Sequence, residues 1–420
     1  MAATAAGVRR TYYILTAGNT LAASLIWGIN TIFLLDAGLT NLEAFAANAF
    51  YTAGMVLFEI PTGIVADSWG RRTSFVLGTV TLAVTTVLYV FLWQQQAAFV
   101  WWAIVSTLLG LGFTFFSGAT EAWLVDALAA TSFDGLLDAV FSRGQVVTGV
   151  TMLSGSVAGG YLAQLTNLGV PYLVRASILL VVFVLALTLM RDIGFTPERG
   201  SRPLAEMKRL LASSVENGLK VPAIGALMVA GLCSGGVGIY VFYALQPYLL
   251  GLWGDPSAYG IAGLVAAIVA GAQIVGGVLT PKIRMLLRRR TSALLVLEII
   301  SLVVLVLIGL LGSFWAAIIL IVAWGLATAA ARPIRQAYLN GMIPSQQRAT
   351  ILSFDSLMTS AGGIVAQPAL GKVADAYSYQ VSYLFSSLGS LIAIPFILRA
   401  RRAGTPADTE VQPTPAKPGA

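Results

Sequence analysis

A succession of long apolar runs, each separated by only a short polar gap, constrains this chain more than any other feature. Twelve runs can be read, at 12–35, 43–65, 73–93, 98–125, 138–164, 170–190, 222–250, 258–280, 291–311, 314–339, 350–371 and 380–398. Each has about 20 residues or more, the length a helix needs to cross the hydrocarbon core of a bilayer. In lipid, backbone N–H and C=O groups must be satisfied within the element, which leaves helices or a closed barrel. The runs are too long and too continuous for the alternating strands of a barrel. A mean hydropathy of +0.83 with only 10% charged residues agrees, because a soluble domain cannot hide that much apolar surface. The lipid bilayer is the first partner.

The only long polar interruption runs from Arg191 to Lys220. It divides the chain into a first half at 1–190, a linker at 191–221 and a second half at 222–400. Within the linker, Leu204, Met207, Leu210 and Leu211 predict an amphipathic helix on the membrane surface. The segment 401–420 is rich in Pro, Ala and Thr and reads as a disordered tail. The halves are related by a repeat. A shift of 211 residues brings Ser142 onto Ser353, Gly160 onto Gly371, Ala163 onto Ala374 and Tyr172 onto Tyr383. A shift of 210 brings Gly28-Ile29 onto Gly238-Ile239. Two such six-helix halves recur in secondary transporters, with a site between them near the midplane. The fold class expected is all-α integral membrane: twelve transmembrane helices as two pseudo-symmetric six-helix bundles.

Charge orients the chain. An even number of spans puts both termini on one side. That side carries Arg9, Arg10, Arg71, Arg72, the basic residues of the linker, the run Lys282 to Arg290, and Arg348. Only Arg175 and Lys372 fall near the other. The positive-inside rule then places both termini in the cytoplasm, with the inner (plasma) membrane as location. The formal charge of +7 is mostly this topology signal, so no nucleic-acid partner is implied. The stretch from Met1 to Arg10 is too short for a signal peptide. The single cysteine, Cys233, excludes an intramolecular disulfide, and the absence of histidine excludes imidazole bases and metal ligands. No metal site or cofactor is expected.

The gap between the second and third spans reads Gly63-Ile-Val-Ala-Asp67-Ser-Trp-Gly70-Arg71-Arg72. Glu59, Gly63 and Asp67 are spaced by four and share a helix face. Gly63 lets another helix pass close, and Asp67 suits the positive end of a neighbouring helix. This segment resembles the loop signature of the major facilitator superfamily of membrane transporters, with Ser68 where that family usually has a basic residue. The resemblance implies a latch between the halves, joined by an acid at the inner end of the fourth helix, the place of Asp126. The matching second-half loop, Gly277 to Arg284, keeps the glycine and the basic charge but has no acid. Span five carries Gly155-Ser156-Val-Ala-Gly159-Gly160, similar to the glycine-rich motif of drug:proton antiporters, with Ser156 in the place of its proline. The glycines also serve as a packing face. Ser106 stands near where that family has an arginine.

Charges inside the membrane are costly and need partners. Glu121 and Arg143 lie equally far on either side of a loop near residue 132. Arg332 and Arg335 precede, and Asp355 follows, the loop near 344. Each set reads either as an ion pair holding a hairpin in register or as working groups that exchange partners or protons. Glu121 is the leading proton carrier; Asp355 and Glu59 follow. The helices that line the cavity in the family carry Asn19, Trp27, Asn30, Trp123, Tyr240, Tyr243, Gln246 and Trp324, an aromatic and amide set suited to an amphiphilic organic molecule.

The style of the resemblance is that of bacterial drug or metabolite efflux members. The function expected is a monomeric secondary carrier, not an enzyme. It would export a small amphiphilic substrate by alternating access, with protons as coupling partner. No nucleotide-binding loop is present to supply ATP drive. Import of an anionic nutrient through Arg332 and Arg335 stands as the alternative, with a non-transporting receptor or a membrane enzyme more remote.

Overall fold

Helix boundaries follow the glycines, caps and turns between the apolar runs. In this computed structural model, residues 4–197, 215–344 and 347–409 are described, so the surface helix expected around Leu204 to Leu211 lies outside the described residues. The first half contains α1 (Ala5–Trp27), α2 (Asn30–Asp36), α3 (Asn41–Trp69), α4 (Arg71–Gln95), α5 (Phe99–Thr114), α6 (Ala119–Ala130), α7 (Leu137–Leu165) and α8 (Gly169–Leu189). The second contains α9 (Pro222–Ala230), a π-helical turn (Gly231–Gly235), α10 (Gly236–Trp253), α11 (Tyr259–Leu286), α12 (Arg290–Leu310), α13 (Phe314–Met342), α14 (Arg348–Ala376) and α15 (Tyr379–Arg402).

Ten of these columns are long and apolar enough to cross a membrane, and α1–α2, bent by 49° at Gly28-Ile29, makes eleven. The twelfth expected span is α14, which has the length at 29 residues but a more polar composition. It compensates by packing on α3, α10 and α15. Start signals are local. Thr40 and Glu43 form a reciprocal capping box at α3. Gly70, at φ 106°, lets the chain turn from α3 straight into α4. A turn ending in Gly118 separates α5 from α6 within the fourth span.

Apolar side chains collect into one core in the first half, around Leu15, Phe33, Trp102 and Tyr172, and two in the second, around Met228 and Ile397 and around Tyr240 and Leu305. The halves meet along two helix pairs, α3 with α14 and α7 with α11. The start of α1 at Ala5 and the end of α15 at Arg402 lie on one face of the bundle, called here the terminal face; the other is the far face.

The start of the expected disordered tail is instead ordered. Helix α15 runs to Arg402, and Pro406–Asp408 form a 3-10 turn. Asp408 is 3% exposed and caps α12, accepting from the Thr291 backbone N–H (2.8 Å) and hydroxyl (2.9 Å). The Arg290 guanidinium donates to the Ala407 carbonyl, and Tyr338 shares a hydrogen bond with Thr405 (3.0 Å). Composition alone misses this because the strap's stability comes from unpaired N–H groups at a distant helix end. Asp408→Ala leaves those buried donors unsatisfied, a cost of about 1–3 kcal/mol. The variant therefore melts at lower temperature in detergent, and an unchanged melting curve would show the strap to be idle.

Candidate substrate site and gates

The bend at Gly28-Ile29 interrupts the α1 hydrogen-bond ladder and frees backbone groups inside the membrane. Gln246, from α10 in the second half, satisfies two of them: its Nε2 donates to the Trp27 carbonyl (2.7 Å) and its Oε1 accepts from the Thr31 N–H (2.9 Å). Asp375 at the end of α14 accepts from the Asn41 (2.9 Å) and Leu42 (2.8 Å) N–H groups at the start of α3. A carboxylate there meets both free donors and the positive helix end. The Tyr379 hydroxyl donates to Asn41 Oδ1, and Gln164 accepts from the Gly260 N–H (2.9 Å). Deeper, Gln367 donates to Thr52 at 3.5 Å. Among the described residues, these are the hydrogen bonds between halves, and they lie at the far face or at mid-depth. The bundle is sealed there.

Beneath the seal lies a small cavity of about 40 Å³, lined by Trp27, Asn30, Asn48, Tyr51, Tyr89, Phe113, Arg175 and Tyr243 among others. Of the residues expected to line a substrate cavity, Trp27, Asn30 and Tyr243 line this space, and Gln246 sits in the seal above. The remaining expected residues go elsewhere. Trp123 is buried and donates to the Arg191 carbonyl (2.7 Å). Tyr240 is hydrogen-bonded to Ser382 (2.5 Å), and Trp324 packs in the same second-half core. Asn19 is half-buried on α1 and does not line the cavity. Aromatic and amide content cannot tell an inward face from a core face. Ser106 accepts or donates to Tyr89 (2.6 Å) at the cavity edge.

Arg175 was legible as the lone charge in span six, yet serves above only as a topology marker. It is 3% exposed, its Nε has no hydrogen-bond partner, and the phenols of Tyr51, Tyr89, Tyr172 and Tyr243 surround it. An arginine within a membrane span is costly and needs partners.

At the terminal face, the latch residues bind within the first half. Asp67 pairs with Arg71, whose Nε stands 4.0 Å from Asp126. Arg72 donates its N–H to Asp192 (2.9 Å) and its guanidinium to the Leu187 carbonyl (2.5 Å). Burial pushes the Asp192 carboxyl above the ordinary aspartate range, against the pull of the Arg72 N–H and the Arg72 and Arg71 charges. Gly70 is favoured by its φ of 106°, and a Cβ there would also meet the Asp192 carboxylate at 2.3 Å. Gly63, expected to admit a neighbouring helix, faces open space, as does Gly277 in the second half. Glu59 accepts from the Ser117 hydroxyl (2.5 Å).

The two charged hairpins differ. Arg335 makes a two-pronged pair with Asp355, with Nη2 to Oδ1 at 2.5 Å, and also donates to the Leu227 carbonyl (2.9 Å). Arg332 is exposed. Glu121 and Arg143 form no ion pair with each other among the described residues: both are exposed, and Arg143 lines a terminal-face vestibule of about 610 Å³ with Arg9 and Arg10. α6 ends at Ala130 and α7 begins only at Leu137, so equal distance in sequence from residue 132 means neither equal depth along the two helices nor a shared face. Glu121 instead falls in the first turn of α6, where the helix dipole favours a carboxylate. A further acid, Glu298, lies half-buried in mid-α12 beside Ser234, Ser390 and Arg335, with Oε1 unpartnered. It was visible as the lone charge of span nine.

Gly155 and Gly159 of α7 pack on α1: a Cβ would stand 1.9 Å from Ser24 Oγ and 1.8 Å from the Leu25 carbonyl oxygen. Gly160 turns to α11, where a Cβ would meet the Tyr259 carbonyl at 2.7 Å and Gly263 Cα at 2.9 Å.

The profile of the Major Facilitator Superfamily matches residues 12–305 and 286–419. The chain belongs to that family. It is a secondary transporter of the membrane, not an enzyme, and its two six-helix bundles are the family fold. The nucleoside transporter NupG shares the fold at TM-score 0.76 with 14% identity, over 94% of this chain and 99% of that one. The peptide transporter POT in complex with sulfate gives 0.73 and 14%, over 96% and 95%. An inward-facing bacterial homologue of the human lysosomal transporter Spinster gives 0.70 and 14%, over 94% and 97%. At these identities the likeness concerns the fold alone. No curated protein sequence matches the chain.

The seal predicts a gating phenotype. Asp375→Ala removes two charge-assisted hydrogen bonds, each worth about 1.5–3 kcal/mol. In a Cys233→Ser background, a cysteine at Thr31 should then react at least ~10-fold faster with an impermeant maleimide added at the far face. Equal rates would mean that Asp375 does not hold the gate.

Proposed function

We propose that the transporter exchanges a small amphiphilic organic compound for protons across the inner membrane by alternating access. The single observation that carries this reading is the aromatic and amide-lined cavity under a seal made between the halves. Trp27, Tyr51, Phe113 and Tyr243 offer apolar surface, and Asn30 and Asn48 offer polar anchors. The basic residues gathered at the terminal face support a cytoplasmic location for both termini. The cavity is then closed to the outside, and residues 1–190 rock against 222–400 to expose it there. In the opposite state Gly63 and Asp67 approach the second half, and the Asp67–Arg71–Asp126 cluster closes the terminal face.

Proton exchange, and hence export, is supported by Glu298 more than by Glu121. A carboxyl within the membrane, close to the Arg335–Asp355 pair and next to a π-helical turn, can change proton occupancy when the helices shift. Glu121 sits at an exposed helix start with no such lever. The anion-import alternative through Arg332 and Arg335 is weakened, because Asp355 already neutralises Arg335.

Proteoliposomes with an imposed pH gradient and an internal pH dye test the proposal. An amphiphilic compound should drive proton flux, and Glu298→Gln should reduce that flux at least ~10-fold in folded protein, with Glu121→Gln close to wild type. Flux surviving in Glu298→Gln would remove this residue as the carrier. Substrate movement without any proton flux would remove the exchange itself.

A further inference from the structure

The geometry points to an oxyanion subsite at the top of the cavity. Arg175, Asn48 and the phenols of Tyr51 and Tyr243 receive the carboxylate, sulfonate or phosphate group of an otherwise apolar substrate. This deepens the carrier reading and rests on it, but on neither direction nor coupling.

Hydrogen-bond bookkeeping around the cavity leaves donors over. Asn48 Oδ1 is taken by Asn30 Nδ2 (2.9 Å), and Asn30 Oδ1 by the Tyr172 hydroxyl (3.0 Å). Both amide acceptors are thereby used. Asn48 Nδ2 remains buried without a partner, as does Arg175 Nε in the same wall. Buried donors normally find acceptors. No aspartate or glutamate lines the cavity to supply one. An arginine fork suits planar oxyanions, and it repels the cationic amphiphiles that an aromatic box would otherwise attract.

Size and position narrow the ligand. A space of about 40 Å³ admits a headgroup or a few waters, not a whole substrate. Arg175 is the seventh residue of α8 from the far face, roughly 9 Å deep at 1.5 Å per residue. The headgroup therefore lies innermost under the seal, and the apolar body extends past Trp27 and Phe113 toward the terminal face. Tyr243 is the second half's contribution to the lining, so the bound anion touches both halves.

The test uses purified full-length protein and two matched probes, 2-naphthoate and neutral 2-naphthamide, in tryptophan-fluorescence titrations and thermal-shift assays. Wild type should bind the naphthoate at least ~10-fold tighter than the amide. Arg175→Gln should erase that preference, and Arg175→Lys should retain part of it. Ligand-free Arg175→Gln should melt no lower than wild type, since an unpaired buried charge has gone. Equal affinities in wild type, or a preference that survives Arg175→Gln, would overturn the subsite and assign the cavity to water. If amide binding persists throughout, the carrier reading stands without the subsite. If folded wild type binds neither probe, both fall.

Discussion

Close contact between glycines at the far face sets what the rest of the molecule can do. A Cβ on Gly28 would stand 2.7 Å from Gly263 Cα, and one on Gly160 would stand 2.9 Å from it. Without side chains, α1, α7 and α11 meet backbone to backbone across the boundary between halves. The second seam repeats the device. Gly371, equivalent to Gly160 under the 211-residue shift, meets the Asn41 carbonyl at 2.8 Å and Phe45 at 2.9 Å. Between helices in a membrane there is little hydrophobic force, so close van der Waals contact supplies the attraction.

The two faces of the bundle are built on different principles. At the far face, Asp375 and Gln246 each bind two backbone groups from the other half, and both use donors or acceptors that a helix end or a helix break has released. At the terminal face, Asp67, Arg71, Arg72, Asp126 and Asp192 interact within the first half, with Arg71 Nε and Arg72 Nε left without a hydrogen-bond partner. Arg71 thereby has two carboxylates beside it without any group from the second half.

Much of the fold was legible because bilayer thickness and backbone satisfaction act on local sequence. Span positions follow from patterns that survive without knowledge of neighbours. What failed depended on phase or on distant partners. Glu121 and Arg143 were paired by counting from a loop, and the non-helical connection between Ala130 and Leu137, lying asymmetrically about residue 132, invalidates the count. Asp408 was assigned to a tail because nothing nearby in sequence reveals the open end of α12. Trp27, Asn30 and Tyr243 line the small cavity, while Trp123, Tyr240 and Trp324, drawn from the same residue classes, pack in the cores. Arg175 and Glu298 carried the sharper signal, each a single charge in an otherwise apolar span. Neither has an oppositely charged residue nearby in sequence, so a search for pairs passes over both.

The break at Gly28-Ile29 connects these observations. It places Trp27 and Asn30 beside the cavity, and it releases the Trp27 carbonyl and the Thr31 N–H that Gln246 then holds from the second half. The same short stretch therefore faces the cavity on one side and the contact between halves on the other. Asn30 is further tied to Asn48 and Tyr172, so a ligand that draws on the free Asn48 donor bears on an amide already joined to the bent helix. Tyr243 lies one turn before Gln246 on α10 and meets the cavity from the opposite half. Occupancy and closure thus act on common atoms. A ligand that binds more tightly when those atoms are together biases the gate by that difference in affinity, and no longer pathway through the protein is needed.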